Sequence, residues 1–210
     1  LRGDMGITNP LFPEESIANT AMHESYLTRT GFVDTGVDES GQTEASASFA
    51  DDVVFYAETL AVPARRNIDN EDVLNGALLF QQVNCTGCHT PQFITQTGAV
   101  FIGGRAAPEA IKGQTIYPFT DMLLHDMGED LADNRRDFMA TGNEWKTRPL
   151  WGIGLTKTVN PAAGFLHDGR ADNIEEAILW HGGEAQSSKA DFMALTKTER
   201  ASLVAFVMSL

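Results

Sequence analysis

Four stretches of the chain carry apolar residues at helical spacing. In Phe49–Leu60 (FADDVVFYAETL), Val53, Val54, Ala57 and Leu60 share one face, and Pro63 stops the segment. In NEDVLNGALLFQQV, Asn70 stands in the N-cap position and Glu71 and Asp72 suit the positive end of the macrodipole. This second helix runs directly into Cys85. In NIEEAILWHG (Asn173–Gly182), Ile174, Ala177, Ile178 and His181 fall on one face, with Gly182 and Gly183 as the stop signal. The last stretch, LTKTERASLVAFVMSL, opens with a capping box formed by Thr196 and Glu199 and runs apolar through Leu203, Val204, Phe206 and Val207.

Between these stretches the pattern breaks down. Residues 90–170 are punctuated by Gly and Pro, with short helices expected at Tyr117–Leu124 and Leu131–Ala140. Residues 1–50 lack sustained periodicity and read as an irregular arm, within which Arg2–Asp4 (RGD) reads as a turn. No alternating strand pattern of any length is present, so the expected class is mainly α with much coil.

Charge narrows the partners. Fifteen Lys and Arg against 29 Asp and Glu leave a formal charge of -14, which repels phosphate backbones and anionic lipid, so nucleic acid is not an expected ligand. No apolar run approaches the roughly 18 residues of a membrane span. The chain starts at Leu1 with no basic-then-apolar leader, which reads as a processed chain or a fragment.

The chemistry is concentrated in QQVNCTGCHT (residues 81–90), which holds both cysteines of the chain. A C-x-x-C core serves zinc binding, thiol exchange or covalent haem attachment. Closed zinc sites want a second C-x-x-C or an H-x3-5-H pair, and His23, His89, His125, His167 and His181 supply no such pair. A redox dithiol belongs at a strand-to-helix junction, whereas a helix leads into this motif, and the redox reading leaves His89 unexplained. Haem accounts for all three residues: Cys85 and Cys88 as thioether attachments and His89 as the proximal iron ligand. Gly76 and Phe80, ahead of the motif, resemble the first helix of c-type cytochromes, where a glycine lets a C-terminal helix cross closely. The expected fold is therefore a cytochrome c-like haem domain with long loops over residues 71–210, preceded by an irregular N-terminal arm and helix over 1–70. For the sixth iron position a Met would raise the potential and a second His would leave it lower. Among the methionines, Met127 stands out because it lies among polar residues (LLHDMGED).

Several blocks after residue 52 carry a more specific likeness: LAVPARR (60–66), CTGCH, YPFTDMLLHDMGEDLAD (117–133), EWKTRPLWGIGL (144–155) and FLHDGRADNIEEAILWHGGEA (165–185). In these the chain resembles the bacterial di-haem cytochrome c peroxidase superfamily, and within it the di-haem oxidoreductases, also called thiol-oxidoreductase-like proteins. In the superfamily the residue fourteen positions beyond the His of HDG, a Met or a Tyr, binds the iron of the C-terminal haem; from His167 that position holds His181. The resemblance thus implies bis-histidine ligation by His89 and His181. Arg170, Arg148 or Arg105 would neutralise a haem propionate, or serve as structural ion pairs. His167 lies in the same block as Arg170, and Trp151 stands where the superfamily usually has an Arg, lining the haem edge or filling core. His125 reads as a group hydrogen-bonding near the haem, and Asp126, Glu129, Asp130 and Asp133 as a solvated acidic face with no calcium-loop spacing.

The family's enzymes carry an electron-relay haem in a C-terminal domain and a catalytic haem in an N-terminal one, whereas this sequence holds a single C-x-x-C-H. The expectation is an electron-transfer unit with one covalent haem c, equivalent to the C-terminal half of such an enzyme. Its partner would be the missing N-terminal haem domain or another haem protein, with a second copy of the chain as an alternative. The alternative function is a peroxidase or thiol oxidoreductase with an open haem; a third, a binding module, has only the acidic stretch Val33–Ser48 in its favour. Thioether attachment of haem takes place outside the bacterial cytoplasm, so a periplasmic or extracellular location is implied.

Overall fold

A computed structural model describes residues 6–13, 21–31, 37, 40–137 and 139–210. The RGD turn, residues 33–36, 38 and 39 of the acidic stretch and position 138 lie outside the described residues. The helices, in chain order, are α1 (Ala21–Thr30), α2 (Ala47–Thr59), α3 (Glu71–Gln82), α4 (Thr156–Val159), α5 (Ile174–Trp180), α6 (Gln186–Ala194) and α7 (Lys197–Ser209). Among the described residues six short strands accompany them: β1 (Phe93–Ile94), β2 (Phe101–Ile102), β3 (Arg105–Ala106), β4 (Thr115–Ile116), β5 (Leu124–Asp126) and β6 (Glu144–Lys146).

The expectation of a mainly α, cytochrome c-like chain does not hold. Helix makes up 42% and strand 12%, a mixed α and β composition with small sheets. The strands escaped the sequence reading because each is two or three residues long, too short to show an alternating pattern. Tyr117–Leu124 is likewise not helical: it is extended and irregular before entering β5, and Phe119 and Met122 adopt left-handed backbone (φ 53° and 63°). Beyond a single 3-10 turn at Glu129–Leu131, residues 132–137 are not helical either. The arm, read as irregular, contains α1.

By internal contacts the chain divides into two compact units. One comprises residues 1–61, 94–114 and 135–141. Within it, Ser46 caps α2 by accepting from the Phe49 amide. The face expected to be buried on α2 is largely exposed, and Ala50 is its buried residue. The helix packs instead on the turn between β2 and β3, a backbone contact invisible to hydropathy: a Cβ on Gly103 would stand 2.1 Å from the Asp51 carbonyl oxygen. The antiparallel pair β2–β3 places Ile102 opposite Arg105, whose guanidinium pairs with Asp52 and lies 5.1 Å from the Phe55 ring centre.

The other unit comprises residues 62–93, 115–134 and 142–210 and holds the C-x-x-C-H motif. Segment 62–70, assigned to the arm by the sequence, belongs to this unit by its contacts. Asn70 accepts from the Asp72 and Val73 amides and so starts α3; Thr196 and Glu199 form the expected capping box of α7. The two helices cross at Gly76, and their contact buries Val73, Phe80, Leu203, Phe206 and Val207. Each such side chain contributes about 1.5–3 kcal/mol by leaving water. Helix α5 adds Ile174 and Ala177 to the same core, which Phe119, Phe165 and Phe192 complete. Strands β5 and β6 are antiparallel, with His125 opposite Trp145. Among the described residues no helix is long and apolar enough to cross a membrane.

Candidate haem site

Helix α3 ends at Val83, and Asn84 then takes a left-handed conformation (φ 59°, ψ 28°) that Asn tolerates better than most residues. This turns the chain into a 3-10 turn, Cys85–Gly87, closed by the His89 amide donating to the Cys85 carbonyl at 2.9 Å. Both thiols and the imidazole are thereby gathered on one tight turn at the foot of the helix crossing. Burial pushes the Cys85 thiol up to about 12, and burial together with the charges of Asp121 and Glu184 raises that of Cys88. A redox dithiol or a zinc thiolate needs the opposite shift, toward the ionised form.

Two imidazoles in this unit share one geometry. His89 Nδ1 lies 3.0 Å from the Phe119 carbonyl oxygen, and His181 Nδ1 lies 2.8 Å from that of Ala177. A carbonyl can only accept, so each ring carries its proton on Nδ1 and keeps its lone pair on Nε2. Desolvation holds His89 down at about 4 and lowers His181 as well, so both are neutral near pH 7. They are close enough for charge on His181 to depress His89 further. Neutral imidazole with Nδ1–H held by a carbonyl and Nε2 free is the metal-ligating form. Helix α5 stops at Trp180, one residue earlier than the sequence suggested, so His181 is the residue capping that helix and not a member of its apolar face.

The family follows from one comparison: a family model described as "Di-haem oxidoreductase, putative peroxidase" matches residues 1–210. The chain belongs to that family. No curated protein and no solved structure matches it.

Haem is the family's cofactor, and the donor set of this chain fits it. Cys85 and Cys88 offer two un-ionised thiols, and His89 and His181 offer two Nε2 lone pairs. In the same unit the indole N–H of Trp145 is buried without a partner among the described residues, a donor suited to an acceptor on a bound group.

The remaining residues singled out by the sequence are dispersed. His167 stacks on Trp145, with ring centres 3.7 Å apart and planes at 17°. Arg170 is bound to Asp168 at 2.6 Å, donates to the Asp130 carbonyl and lies 4.9 Å from the Trp180 ring centre, which makes it a structural ion pair. Arg148 is exposed, and Arg105 is paired with Asp52 in the other unit. Trp151 lines a cavity whose walls include none of the cysteines or histidines. Met127 is half-buried beside Gly182, its carbonyl oxygen 2.9 Å from where a Cβ on that glycine would stand. Asp126, Glu129, Asp130 and Asp133 do not converge on a common point among the described residues.

His125 is more engaged than its sequence context suggested. Its Nδ1 meets Glu184 Oε2 at 2.9 Å and its Nε2 meets Asp121 Oδ2 at 2.8 Å. The Glu184 bond first, and Asp121 next, raise its pKa, as expected for an imidazolium clamped between two carboxylates. Ligand atoms of His125, Asp121 and Cys88 lie within 4.8 Å of one another, so the clamp abuts the attachment turn. Sequence reasoning missed Phe119, Asp121, Trp145 and Glu184, although all four stand inside the blocks that carry the family likeness.

Proposed function

We propose that this chain is an electron-transferring unit of a di-haem oxidoreductase, holding one covalent haem c through Cys85 and Cys88 with His89 and His181 as axial ligands. The observation that carries the reading is the matched pair of imidazoles, each tied through Nδ1 to a main-chain carbonyl with Nε2 free. When bound, haem supplies a one-electron iron couple. The chain's own part is to fix the two rings by the Phe119 and Ala177 carbonyls, to keep both neutral by burial, and to hold two un-ionised thiols for thioether formation. Two histidine ligands leave no open position for peroxide, which favours relay over turnover.

A second haem would need an attachment motif that these 210 residues lack, so the partner is another haem-bearing domain or protein. The net charge of -14 favours a basic docking surface on that partner, with salt-sensitive association. Covalent haem attachment supports a periplasmic or extracellular location. The second reading, a peroxidase, is favoured by the family's description and needs an open iron position.

A pyridine haemochrome assay on the purified chain counts haem, and absorbance of the oxidised and reduced forms reports its ligands. One haem per chain with a low-spin spectrum is expected. A methionine-to-iron charge-transfer band would assign Met127 in place of His181, and rapid cyanide or peroxide binding by the resting protein would favour the peroxidase reading.

A further inference from the structure

A cavity of about 220 Å³ opens in the unit that carries the haem motif, yet none of Cys85, Cys88, His89 and His181 lines it. Its walls are mostly apolar, with Val62, Pro63, Ile116, Trp151 and Leu210 beside Thr115. Tyr117 stands at its rim, half exposed, and Arg65 brings the cation. The segment holding Arg65 is pinned over the end of α7, where the Arg66 amide donates to the Ser209 carbonyl at 2.8 Å.

Among the described residues no side-chain carboxylate compensates the charge of Arg65. Its guanidinium lies 5.3 Å from the Phe206 ring centre and donates one hydrogen bond, at 3.3 Å, to Ser209 Oγ. No side-chain carboxylate of a described residue lies within 4.0 Å of it, although the chain carries 29 acidic residues against 15 basic ones. In the same unit Arg170 has Asp168 and Arg200 has Glu175. Partial burial lowers the pKa of Arg65, the mark of a cation that has lost water without gaining an anion. Guanidinium forks match carboxylates in two parallel hydrogen bonds, and an indole face matches a flat apolar body.

We propose that this cavity binds a carboxylate borne on a flat apolar frame, with Arg65 taking the carboxylate and Trp151 the frame. Two sources have that chemistry: a free aromatic acid, or a propionate-bearing edge of the haem. The first goes beyond the electron-relay reading; the second rests on it.

The test uses the haem-loaded protein with 4-fluorobenzoate as probe, followed by fluorine NMR, beside the reduction potential of the haem. Arg65→Gln is compared with Lys197→Gln, which makes the same charge change at an exposed position in the first turn of α7. If the source is a free acid, wild type binds the probe saturably, Arg65→Gln weakens binding about tenfold or more, and Lys197→Gln leaves it unchanged. Val62→Phe, which narrows the cavity from a half-exposed position, weakens binding as well and guards against misfolding of the arginine variant. If the source is haem, the probe does not bind, and Arg65→Gln lowers the potential by stabilising the oxidised form while Lys197→Gln does not. The proposal is overturned by probe binding that neither Arg65→Gln nor Val62→Phe alters, or by absent binding with a potential that Arg65→Gln leaves in place. A haemochrome assay showing no covalent haem would remove the electron-relay reading and still leave the probe arm intact.

Discussion

Gly76 and Ser202 stand at the contact where α3 and α7 cross. A Cβ on Gly76 would lie 2.0 Å from the Ser202 carbonyl oxygen and 2.7 Å from Phe206 Cβ. Both obstacles are anchored in the backbone of α7, so the helices must part to admit a methyl group. Gly76→Ala is expected to destabilise the fold by about 1–3 kcal/mol or more, read as a lower urea midpoint. An unchanged midpoint would show that the crossing is looser than described.

The start of α3 offers a smaller, separable test. Asn70 accepts from two amides that otherwise lack helical partners. Asn70→Ala is expected to cost about 1 kcal/mol in the same denaturation experiment, with the haem spectrum unaltered.

With haem held as proposed, His181→Ala should convert a low-spin spectrum to high-spin and open the iron to cyanide without loss of the haem. A low-spin spectrum retained in that variant would reject His181 as ligand.

His125 sets a pH dependence. Its pKa is raised above the ordinary 6.5 by Glu184 and then Asp121, so the folded state holds the proton more tightly than the unfolded chain. The stabilisation is therefore complete below about pH 6.5 and is lost as pH rises through the higher folded value. The difference in denaturation midpoint between wild type and His125→Gln should be largest in mildly acidic buffer and shrink on the alkaline side. A difference flat across that range would show that the imidazole is not charged in the clamp.

The helices were legible where their signals are local. Asn70, the Thr196–Glu199 box and the apolar runs of α3 and α7 all stand where the pattern puts them. The glycine crossing was legible too, through Gly76. The strands were not, because two-residue pairings leave no alternation to read. Nor was the buried face of α2, whose neighbour is a glycine turn packed on the Asp51 carbonyl. At the candidate site, the C-x-x-C-H motif singled out Cys85, Cys88 and His89, and the family likeness singled out His181. The groups that aim the rings are main-chain carbonyls, and no side-chain pattern encodes those.

Phe119 ties these levels together. Held in a left-handed conformation uncommon for a bulky residue, it offers its carbonyl to His89 and sets its ring edge-on to Phe80 and Phe206, at 6.0 and 5.7 Å. The interior of the protein and the aim of its imidazole are therefore one mechanical object. Softening among those three rings would register as drift in colour and potential before the chain unravels, so the haem would serve as a built-in gauge of how well the core is packed.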